Sequence, residues 1–302
     1  MPDIYTVIVT FNGEKWIENC LNSLLNSSIN TRVVVVDNGS TDKSIEILKN
    51  YEDKITLILS EENLGFGGGN NIGIRAAAES GAEYIFLLNQ DAYVEKDTIE
   101  KLLNFSASNK FYGIISPMQM APGGAGPDPL FKKYFSSELL NNKADIIPVR
   151  FVNAAAWFIP FRVFKQCGLF HPVFFHYGED NNFCSRVQYH GYKAGILKTA
   201  SVIHDREVGS DEEKKLLQQI RTVPLYTLLD IRKPRLLAWM LGYLKLQRLK
   251  SKLDSVSTDL QKLNLLYSDQ KKWFNSRFAE SGKIRRETKE GLPDLKIPGN
   301  GR

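Results

Sequence analysis

Residues 84–91 read YIFLLNQD, an apolar run that ends at the polar residues Asn89 and Asp91. A run of this length and composition predicts a strand buried on both faces, as in a parallel sheet. The two polar side chains are two positions apart, so they point the same way. Ligands bind at the carboxyl ends of such strands, where oxygen atoms can hold a divalent cation against a diphosphate. The alternative is that Asp91 caps the helix predicted from about Thr98.

Strand and helix patterns alternate through the first part of the chain. Strands are predicted at 4–11, 32–37, 55–60, 84–89 and 112–117, with helical patterns between them. This alternation predicts an α/β fold with a mostly parallel, twisted sheet and helices on both faces. From 118 to 148 the pattern gives way to a stretch that contains several Pro and Gly residues. We interpret that stretch as a mobile loop over a site.

A second predicted strand also ends in an acid. Val33 to Val36 form a β-branched run that leads into Asp37, a turn sequence at 38–42 and a helical pattern from Ser44. Turn and capping roles explain the residues after Asp37, but they do not explain a carboxylate inside the strand terminus. We interpret Asp37 as an acceptor for the N–H of a nucleobase.

Residues 65–71 read GFGGGNN. The stretch lacks the glycine spacing of a dinucleotide fingerprint, and it does not follow the first strand. We expect a flexible backbone that leads into a helix from about Asn70, whose N-terminus could face a phosphate. A glycine-rich connection with an Asn cap explains the stretch equally well.

A further cluster of reactive residues lies at 174–186, which read FFHYGEDNNFCSR. Glu179 and Asp180 follow aromatic and imidazole side chains, so we expect them on the rim of an apolar pocket. A carboxylate in such a place can have a raised pKa and serve as a general base. Arg186, two helical turns further on, would hold the carboxylate in position or contact an acceptor. The alternative is a solvated helix start, which the helix dipole favours.

His204 ends another short apolar run and is a candidate third metal ligand, although a lone His is more often a packed or surface residue. Cys20, Cys167 and Cys184 have neither pair spacing nor CxxC spacing. We therefore expect a reducing compartment and no zinc site.

The chain has 302 residues, 43% of them hydrophobic, which suits one domain with an extension. Between 231 and 252 seven basic residues and no acid surround an apolar run at 236–244. Two interpretations stay open, namely peripheral binding to anionic lipid and packing on the catalytic domain or on a second subunit. We expect no signal peptide, no membrane-spanning segment and a disordered tail at 282–302.

Six motifs occur together in this chain, namely VIVTFN (7–12), VDNGSTD (36–42), NLGFGGGNNIG (63–73), LLNQD (87–91), GED (178–180) and His204. In this order and at these separations they resemble the inverting family 2 glycosyltransferases. Within that family the motifs are most similar to the rhamnosyltransferase-like branch. The resemblance covers roughly residues 3–210.

The resemblance implies a GT-A fold over residues 1–210, with a nucleotide-binding part to about 117 and an acceptor-binding part over 118–210. A basic helical extension at 211–281 would follow. The implied nucleotide-binding residues are Thr10, Asn12, Asp37, Asn70, Asn71 and Asn89. Asp91 and His204 would hold Mg²⁺ or Mn²⁺, and Asp180 would be the catalytic base. Glu179, Arg186 and Trp157 are candidates for acceptor contact or for support of the site.

Two residues depart from the family pattern. Asn89 stands where an Asp-x-Asp motif has its first acid, so one ligand is neutral and the cation is held more weakly. Asn is frequent there in the rhamnosyltransferase-like branch, and we interpret it as a mark of that subtype. Asn182 stands where a Glu-Asp-x-Asp pattern has its last acid, which leaves the role of a second acid open.

These features predict inverting transfer from a pyrimidine nucleotide sugar to a hydroxyl of a cell-surface polysaccharide or a lipid-linked saccharide. dTDP-rhamnose is the first candidate donor and a UDP-hexose the second. We expect the reaction on the cytoplasmic side, without nucleic acid, in a monomer or a homodimer. The alternatives are a nucleotidyltransferase and a non-catalytic sugar- or nucleotide-binding scaffold. A nucleotidyltransferase would need a basic glycine-rich loop near the first strand, and this chain has none there. The loss of acids at Asn89 and Asn182 favours the scaffold.

Overall fold

The computed structural model describes residues 2–124, 126–206, 211–257 and 260–290, in which nine strands form one sheet. The strands are β1 (Ile4–Thr10), β2 (Arg32–Asp37), β3 (Ile55–Leu59), β4 (Tyr84–Asn89), β5 (Ala92–Val94), β6 (Tyr112–Met120), β7 (Ile146–Val149), β8 (Ala156–Pro160) and β9 (Lys193–His204). The helices are α1 (Ile17–Leu25), α2 (Ser44–Lys49), α3 (Gly65–Glu79), α4 (Thr98–Ser108), α5 (Ser137–Asn141), α6 (Phe161–Cys167), α7 (Glu179–Tyr189), α8 (Glu212–Leu228), α9 (Arg235–Val256) and α10 (Leu260–Glu290).

The strand order is β3-β2-β1-β4-β8-β6-β9-β5, and β7 pairs with β9 off this path. The half formed by β1 to β4 is parallel, and the helices α1, α2 and α3 make the crossovers between its successive strands. β8 runs antiparallel to β4 and β6, while β6 and β9 are parallel. The predicted α/β architecture, with a mostly parallel sheet, flanking helices and a C-terminal helical extension, is confirmed.

The sheet has an apolar core on each face, because alternate residues of a strand point to opposite faces. In β1, Val7 belongs to the core that contains Ile74 of α3, whereas Ile8 belongs to the core that contains Ile17 of α1. All four side chains are fully buried. This double burial explains why the strand sequences are continuously apolar rather than alternating.

Helix α3 begins at Gly65, five residues before the predicted start near Asn70. The prediction of a flexible glycine connection is therefore wrong, since the glycines lie inside the helix. Their role is close packing against β1. A Cβ atom on Gly73 would lie 2.4 Å from Cγ1 of Val7, so a larger residue would push the helix away from the sheet.

The stretch from 118 to 148 is more ordered than the sequence pattern indicated. β6 continues to Met120, and Phe131 is fully buried in the core. The ring of Phe131 meets those of Tyr134 and Phe135 edge-on at 5.4 and 5.9 Å. The prediction of a mobile loop is wrong for the described part, because this aromatic cluster anchors the segment. Residue 125 lies outside the described residues.

The C-terminal helices α8, α9 and α10 pack around a core of their own, which includes Ile220, Leu246 and Phe274. Helix α10 continues to Glu290, so residues 282–290 of the predicted disordered tail are helical. The cause is Arg285, which donates hydrogen bonds to the carbonyl oxygens of Leu228 and Asp230 at 2.7 and 2.8 Å. Residues 291–302 lie outside the described residues. Among the helices described, none combines the length and the apolar character needed to cross a bilayer.

Candidate active site

The predicted nucleotide-binding residues converge because β2, β1 and β4 are parallel neighbours. Thr10 lies opposite Asp37 in the sheet register, and Val9 lies opposite Asn89. The carboxyl ends of the three strands therefore share one edge of the sheet. Three of the predicted residues meet there although they are far apart in sequence.

Asp37 is fully buried at the end of β2. Its Oδ1 accepts hydrogen bonds from the backbone N–H groups of Gly39 and Ser40, at 3.2 and 2.9 Å. Its Oδ2 is also buried, and it has no hydrogen-bond partner among the described residues. A buried carboxylate oxygen without a donor is costly, so a ligand N–H would stabilise this site.

Gln90 ties the end of β1 to the end of β4. Its Oε1 accepts hydrogen bonds from Oγ1 of Thr10 at 2.6 Å and from the N–H of Phe11 at 3.0 Å. A Cβ atom on Gly13 would lie 2.3 Å from the same oxygen, which explains the glycine. The hydroxyl of the fully buried Thr10 therefore stabilises the loop rather than facing outward. Sequence reasoning missed Gln90, because its side chain points away from those of Asn89 and Asp91.

Asn12 joins the loop after β1 to the loop after β2. It has a positive φ of 49°, and its Oδ1 accepts a hydrogen bond from the N–H of Thr41 at 2.9 Å. Its own N–H donates to Oγ of Ser40 at 2.9 Å. Asn12 thus holds the loop after β1 against the loop that follows Asp37.

Asn70 and Asn71 are buried in α3, and their amide groups bind the protein itself. Asn70 donates to the carbonyl oxygen of Phe66 at 2.9 Å within the helix. Asn71 donates to the carbonyl oxygen of Phe170 and accepts from its N–H, both at 2.9 Å. These side chains fix α3 and the segment before α7, and donor contact by either stays a prediction.

Asp91 and His204 approach each other because β5 and β9 pair antiparallel, with Ala92 opposite His204. Oδ1 of Asp91 lies 3.4 Å from Nε2 of His204. That oxygen is buried and has no hydrogen-bond partner among the described residues. Two ligands of one Mg²⁺ or Mn²⁺ ion, each at about 2.0–2.2 Å, lie about 3 Å apart, so the pair fits such a cation. The described residues contain no group of three His, Cys, Asp or Glu that could hold a metal, so a diphosphate and water would complete the coordination.

Glu179 and Asp180 begin α7, after Gly178 with its φ of 96°. Oδ1 of Asp180 accepts hydrogen bonds from the N–H and the Nδ2 of Asn181, at 2.7 and 3.1 Å. Burial raises the pKa of the Asp180 carboxyl, and the hydrogen bonds from Asn181 lower it part of the way back. Burial also raises the pKa of Glu179, and the charge of Asp180 raises it further. A carboxylate with a raised pKa binds a proton more readily, and the role of Asp180 as a general base stays a prediction.

Tyr177 links the carboxylate pair to the strand ends. It has a φ of 68°, which is unusual for a residue with a side chain. Burial raises the pKa of Tyr177, the carboxylates of Glu179, Asp180 and Asp91 raise it further, and Arg206 lowers it. The Tyr177 side chain therefore lies within electrostatic reach of both the metal-ligand candidate and the base candidate.

Arg186 does not have the predicted role. It is fully buried and donates to the carbonyl oxygens of Cys167 and Leu169, at 2.6 and 2.7 Å. Its Nε donates to Oδ1 of Asn182 at 3.1 Å, which gives the amide at this position a structural role. Burial lowers the pKa of Arg186 to about 10. The expectation that Arg186 holds a carboxylate or contacts an acceptor is wrong, because its donors are used by the backbone before α7.

Trp157 is fully buried as well, so contact with an acceptor is excluded and support is its role. Its ring stacks on those of Phe170 and Phe183, with centroids 6.4 and 5.9 Å apart. Phe170 is the residue whose backbone Asn71 holds. The stack thus helps to hold α7, which begins with Glu179 and Asp180, close to α3.

The sequence of this chain is similar to those of known glycosyltransferases. A family model described as "Glycosyl transferase family 2" matches residues 5–168. The hexosyltransferase Agl10 of low-salt glycan biosynthesis, from Haloferax volcanii, is 29% identical over 217 residues, which are 69% of each chain. TarS, a poly(ribitol-phosphate) β-N-acetylglucosaminyltransferase from Staphylococcus aureus, is 27% identical over 44% of this chain and 24% of its own length.

A crystal structure of residues 1–349 of S. aureus TarS with UDP-GlcNAc has a similar fold. The TM-score is 0.61 at 16% identity, and the match covers 95% of this chain and 89% of that one. At this identity the likeness concerns the fold alone.

Glu179→Gln should increase thermal stability by an amount that grows with pH. The raised pKa means that the folded protein keeps a proton that the unfolded chain loses, so the wild type becomes less stable as the pH rises above the ordinary Glu range. The amide carries no charge and avoids this loss. Unfolding temperatures at about pH 5 and pH 9 test this, with the exposed Glu52→Gln as control. A difference that stays constant or shrinks with pH would contradict it.

Proposed function

The chain belongs to glycosyltransferase family 2, and on this premise we propose that it transfers a sugar, with inversion, from a pyrimidine nucleotide sugar to a saccharide hydroxyl. The observation that carries the proposal is the approach of Asp91 and His204 to 3.4 Å, with Tyr177 close enough to experience the charges of Asp91, Glu179 and Asp180 together. Fold likeness alone would not support a reaction, since one fold hosts many functions.

Asp180 is the proposed base. Its Oδ1 accepts two hydrogen bonds from Asn181. As the acceptor oxygen attacks the anomeric carbon, its proton passes to this carboxylate and the bond to the nucleotide diphosphate breaks. Attack from the face opposite the leaving group inverts the anomeric centre. A carboxylate with a raised pKa binds that proton more strongly than an ordinary Asp does.

Asp91 and His204 are the proposed ligands of Mg²⁺ or Mn²⁺. When bound, the cation would supply charge neutralisation on the departing diphosphate. Asn89, at the end of β4, is proposed to add a neutral oxygen ligand. Both proposed ligands are largely buried, which strengthens their electrostatic interaction with a charged ligand.

The donor is proposed to carry uracil or thymine. The unpartnered Oδ2 of Asp37 suits the ring N–H of these bases. Two donors meet this requirement. The NQD motif and the glycine-rich stretch resemble the rhamnosyltransferase-like branch and favour dTDP-rhamnose. The names of Agl10, a hexosyltransferase, and TarS, crystallised with UDP-GlcNAc, favour a UDP-hexose.

The acceptor is proposed to be a growing polysaccharide or a lipid-linked saccharide. The transfer is proposed to take place on the cytoplasmic side, where nucleotide sugars are made. The names of the relatives support this class, since they refer to glycan biosynthesis and to poly(ribitol phosphate). Because those names refer to different acceptors, the acceptor of this chain must be inferred from the residues around Asp180. Tyr177 and Phe175 are exposed there, and they suit contact with a sugar face.

Peripheral contact with anionic lipid is proposed for α9. Its outer face carries Leu236, Leu237, Met240 and Leu244, each about half exposed. Five of the seven basic residues at 231–252 are engaged within the chain, namely Arg232 and Lys233 with Asp230, Arg235 with Phe278, Lys245 with Thr227, and Lys250 with Asp254. Only Arg232, Lys233 and Lys250 are paired with a carboxylate, so electrostatic attraction would come mainly from Arg235, Lys245, Arg248 and Lys252, next to the apolar face.

Asp180→Asn should lower turnover by about 10²–10⁴-fold, the usual contribution of a general base. Affinity for the nucleoside diphosphate should stay the same, because the amide keeps the shape of the side chain. Initial rates with UDP- and dTDP-sugars, together with calorimetry, measure both. Asp254→Asn, which removes a carboxylate from α9, is the matched control. Wild-type turnover in Asp180→Asn would refute the assignment.

Calorimetry should show UDP or dTDP binding at least ~10-fold more tightly than ADP or GDP, because a hydrogen bond to a charged group contributes about 1.5–3 kcal/mol. Asp37→Asn should reduce this preference, since the amide is a weaker acceptor than the carboxylate. A preference for a purine diphosphate would overturn both the role of Asp37 and the donor class.

Flotation with phosphatidylserine vesicles at low salt should recover the wild-type protein, and Met240→Glu should abolish recovery because it places a charge on the apolar face. Absence of wild-type binding would count against the membrane. If the wild type then sediments as a dimer that Met240→Glu dissociates, the face binds a second copy of the chain.

A further inference from the structure

Two amide side chains lie behind His204, on the side away from Asp91. Nδ1 of His204 lies 3.2 Å from Oε1 of Gln119. Gln119 and Asn153 form a reciprocal amide pair. Nε2 of Gln119 donates to Oδ1 of Asn153 at 2.9 Å, and Nδ2 of Asn153 donates to Oε1 of Gln119 at 3.2 Å. Neither Gln119 nor Asn153 belongs to the sequence motifs described above.

The fold fixes this arrangement. β6 and β9 are parallel, with Gln119 opposite Val202, so the Gln119 side chain reaches the end of β9. Gln119 is fully buried and His204 is 3% exposed, so water does not compete for either side chain. The backbone carbonyl of Gln119 accepts from the N–H of Asp128 at 2.9 Å, which anchors the strand beyond the site.

The amide pair determines which nitrogen of His204 carries the proton. In the structure the Gln119 atom that faces Nδ1 of His204 is the acceptor Oε1, while Nε2 donates to Asn153. A contact between this oxygen and Nδ1 is favourable when Nδ1 bears the hydrogen. In the neutral ring, Nε2 then has no hydrogen and presents a lone pair.

That lone pair meets a second acceptor. Nε2 of His204 lies 3.4 Å from Oδ1 of Asp91, a buried oxygen that accepts no hydrogen bond from the described residues. Two acceptor atoms that face each other without a hydrogen between them repel, unless a cation lies between them. If Nε2 carried the proton instead, its 3.4 Å separation from Oδ1 would still be longer than an ordinary hydrogen bond.

We propose that Gln119 and Asn153 are positioning residues, which hold His204 as the Nδ1–H tautomer and so present Nε2 to a divalent cation shared with Asp91. This inference rests on the proposed metal-assisted transfer. Groups behind a ligating His commonly fix its tautomer and orientation in this way, and losing them weakens metal binding by about 10–100-fold. Here the group is a neutral amide, so it orients the ring without adding charge to the site.

The tautomer can be measured without metal or substrate. Nitrogen-15 spectra of the full chain, labelled at histidine and recorded with chelator at pH 8.5, should show Nδ1 of His204 protonated and Nε2 unprotonated. His204→Asn assigns the signal among the four histidines. In Gln119→Met, which keeps the side-chain length but removes the acceptor, the proton should move to Nε2, the ring nitrogen nearer the Asp91 carboxylate. A wild-type protein with the proton on Nε2 would overturn the proposal.

Calorimetric titration with Mn²⁺ alone tests the consequence for the cation. Gln119→Met should weaken binding by about 10–100-fold, whereas Gln119→Glu, which keeps an acceptor opposite Nδ1, should bind at least as tightly as the wild type. Asn153→Asp keeps an acceptor for Nε2 of Gln119 and should have a smaller effect than Gln119→Met.

The failures of the two proposals can be told apart. If Gln119→Met binds Mn²⁺ as the wild type does, while Asp91→Asn and His204→Asn do not, the positioning role is wrong and the metal site stands. If Asp91→Asn and His204→Asn also bind Mn²⁺ normally, the proposed metal site itself is wrong.

Discussion

The register between β5 and β9 is the constraint on which the site depends. It places Ala92 opposite His204, and the N–H of Asp205 donates to the carbonyl oxygen of Asp91 at 2.8 Å. A shift of one residue would turn the His204 side chain to the other face of the sheet. The pairing of β5 with β9 thus brings Asp91, just after β4, close to a residue more than a hundred positions later in the chain. The short distance between Asp91 and His204 follows from backbone pairing rather than from their own attraction.

The second constraint is the close contact of α3 with both sides of the site. Gly73 lets the helix lie directly on β1, and at Gly65 a Cβ atom would lie 1.8 Å from the carbonyl oxygen of Phe175. Asn71 then fixes Phe170, so the segment before α7 is held against the helix from both ends. These contacts bring Glu179 and Asp180 toward the strand ends. The pKa shifts of the two carboxyls are the electrostatic consequence of this burial.

Much of this arrangement could be predicted from the sequence, because it depends on local patterns. Apolar runs that end in Asp37 and Asp91 indicated both the parallel strands and the edge where they meet. The Gly-Glu-Asp sequence after an aromatic cluster indicates two carboxylates on the rim of an apolar pocket. These signals belong to single segments, and hydrophobic periodicity detects them.

The errors concern contacts between distant segments. The glycines of α3 read as a flexible connection in the sequence, because their packing partner, Val7, belongs to another element. The position of Arg186 in the sequence predicts contact with a carboxylate or an acceptor, whereas its guanidinium donates to backbone carbonyls before α7. The roles of Gln90 and Gln119 depend on contacts with other strands, which no local pattern indicates. Their importance appears when the strands that carry them are placed beside Thr10 and His204.

The central claim is that Asp91 and His204 form one cation site together with the diphosphate of a pyrimidine nucleotide. A crystal of the full chain grown with UDP and Mn²⁺, with data collected at the manganese absorption edge, tests this claim most directly. The claim predicts an anomalous peak within about 2.5 Å of both Oδ1 of Asp91 and Nε2 of His204, in contact with the diphosphate oxygens. A manganese ion bound to the diphosphate and to neither side chain would contradict it.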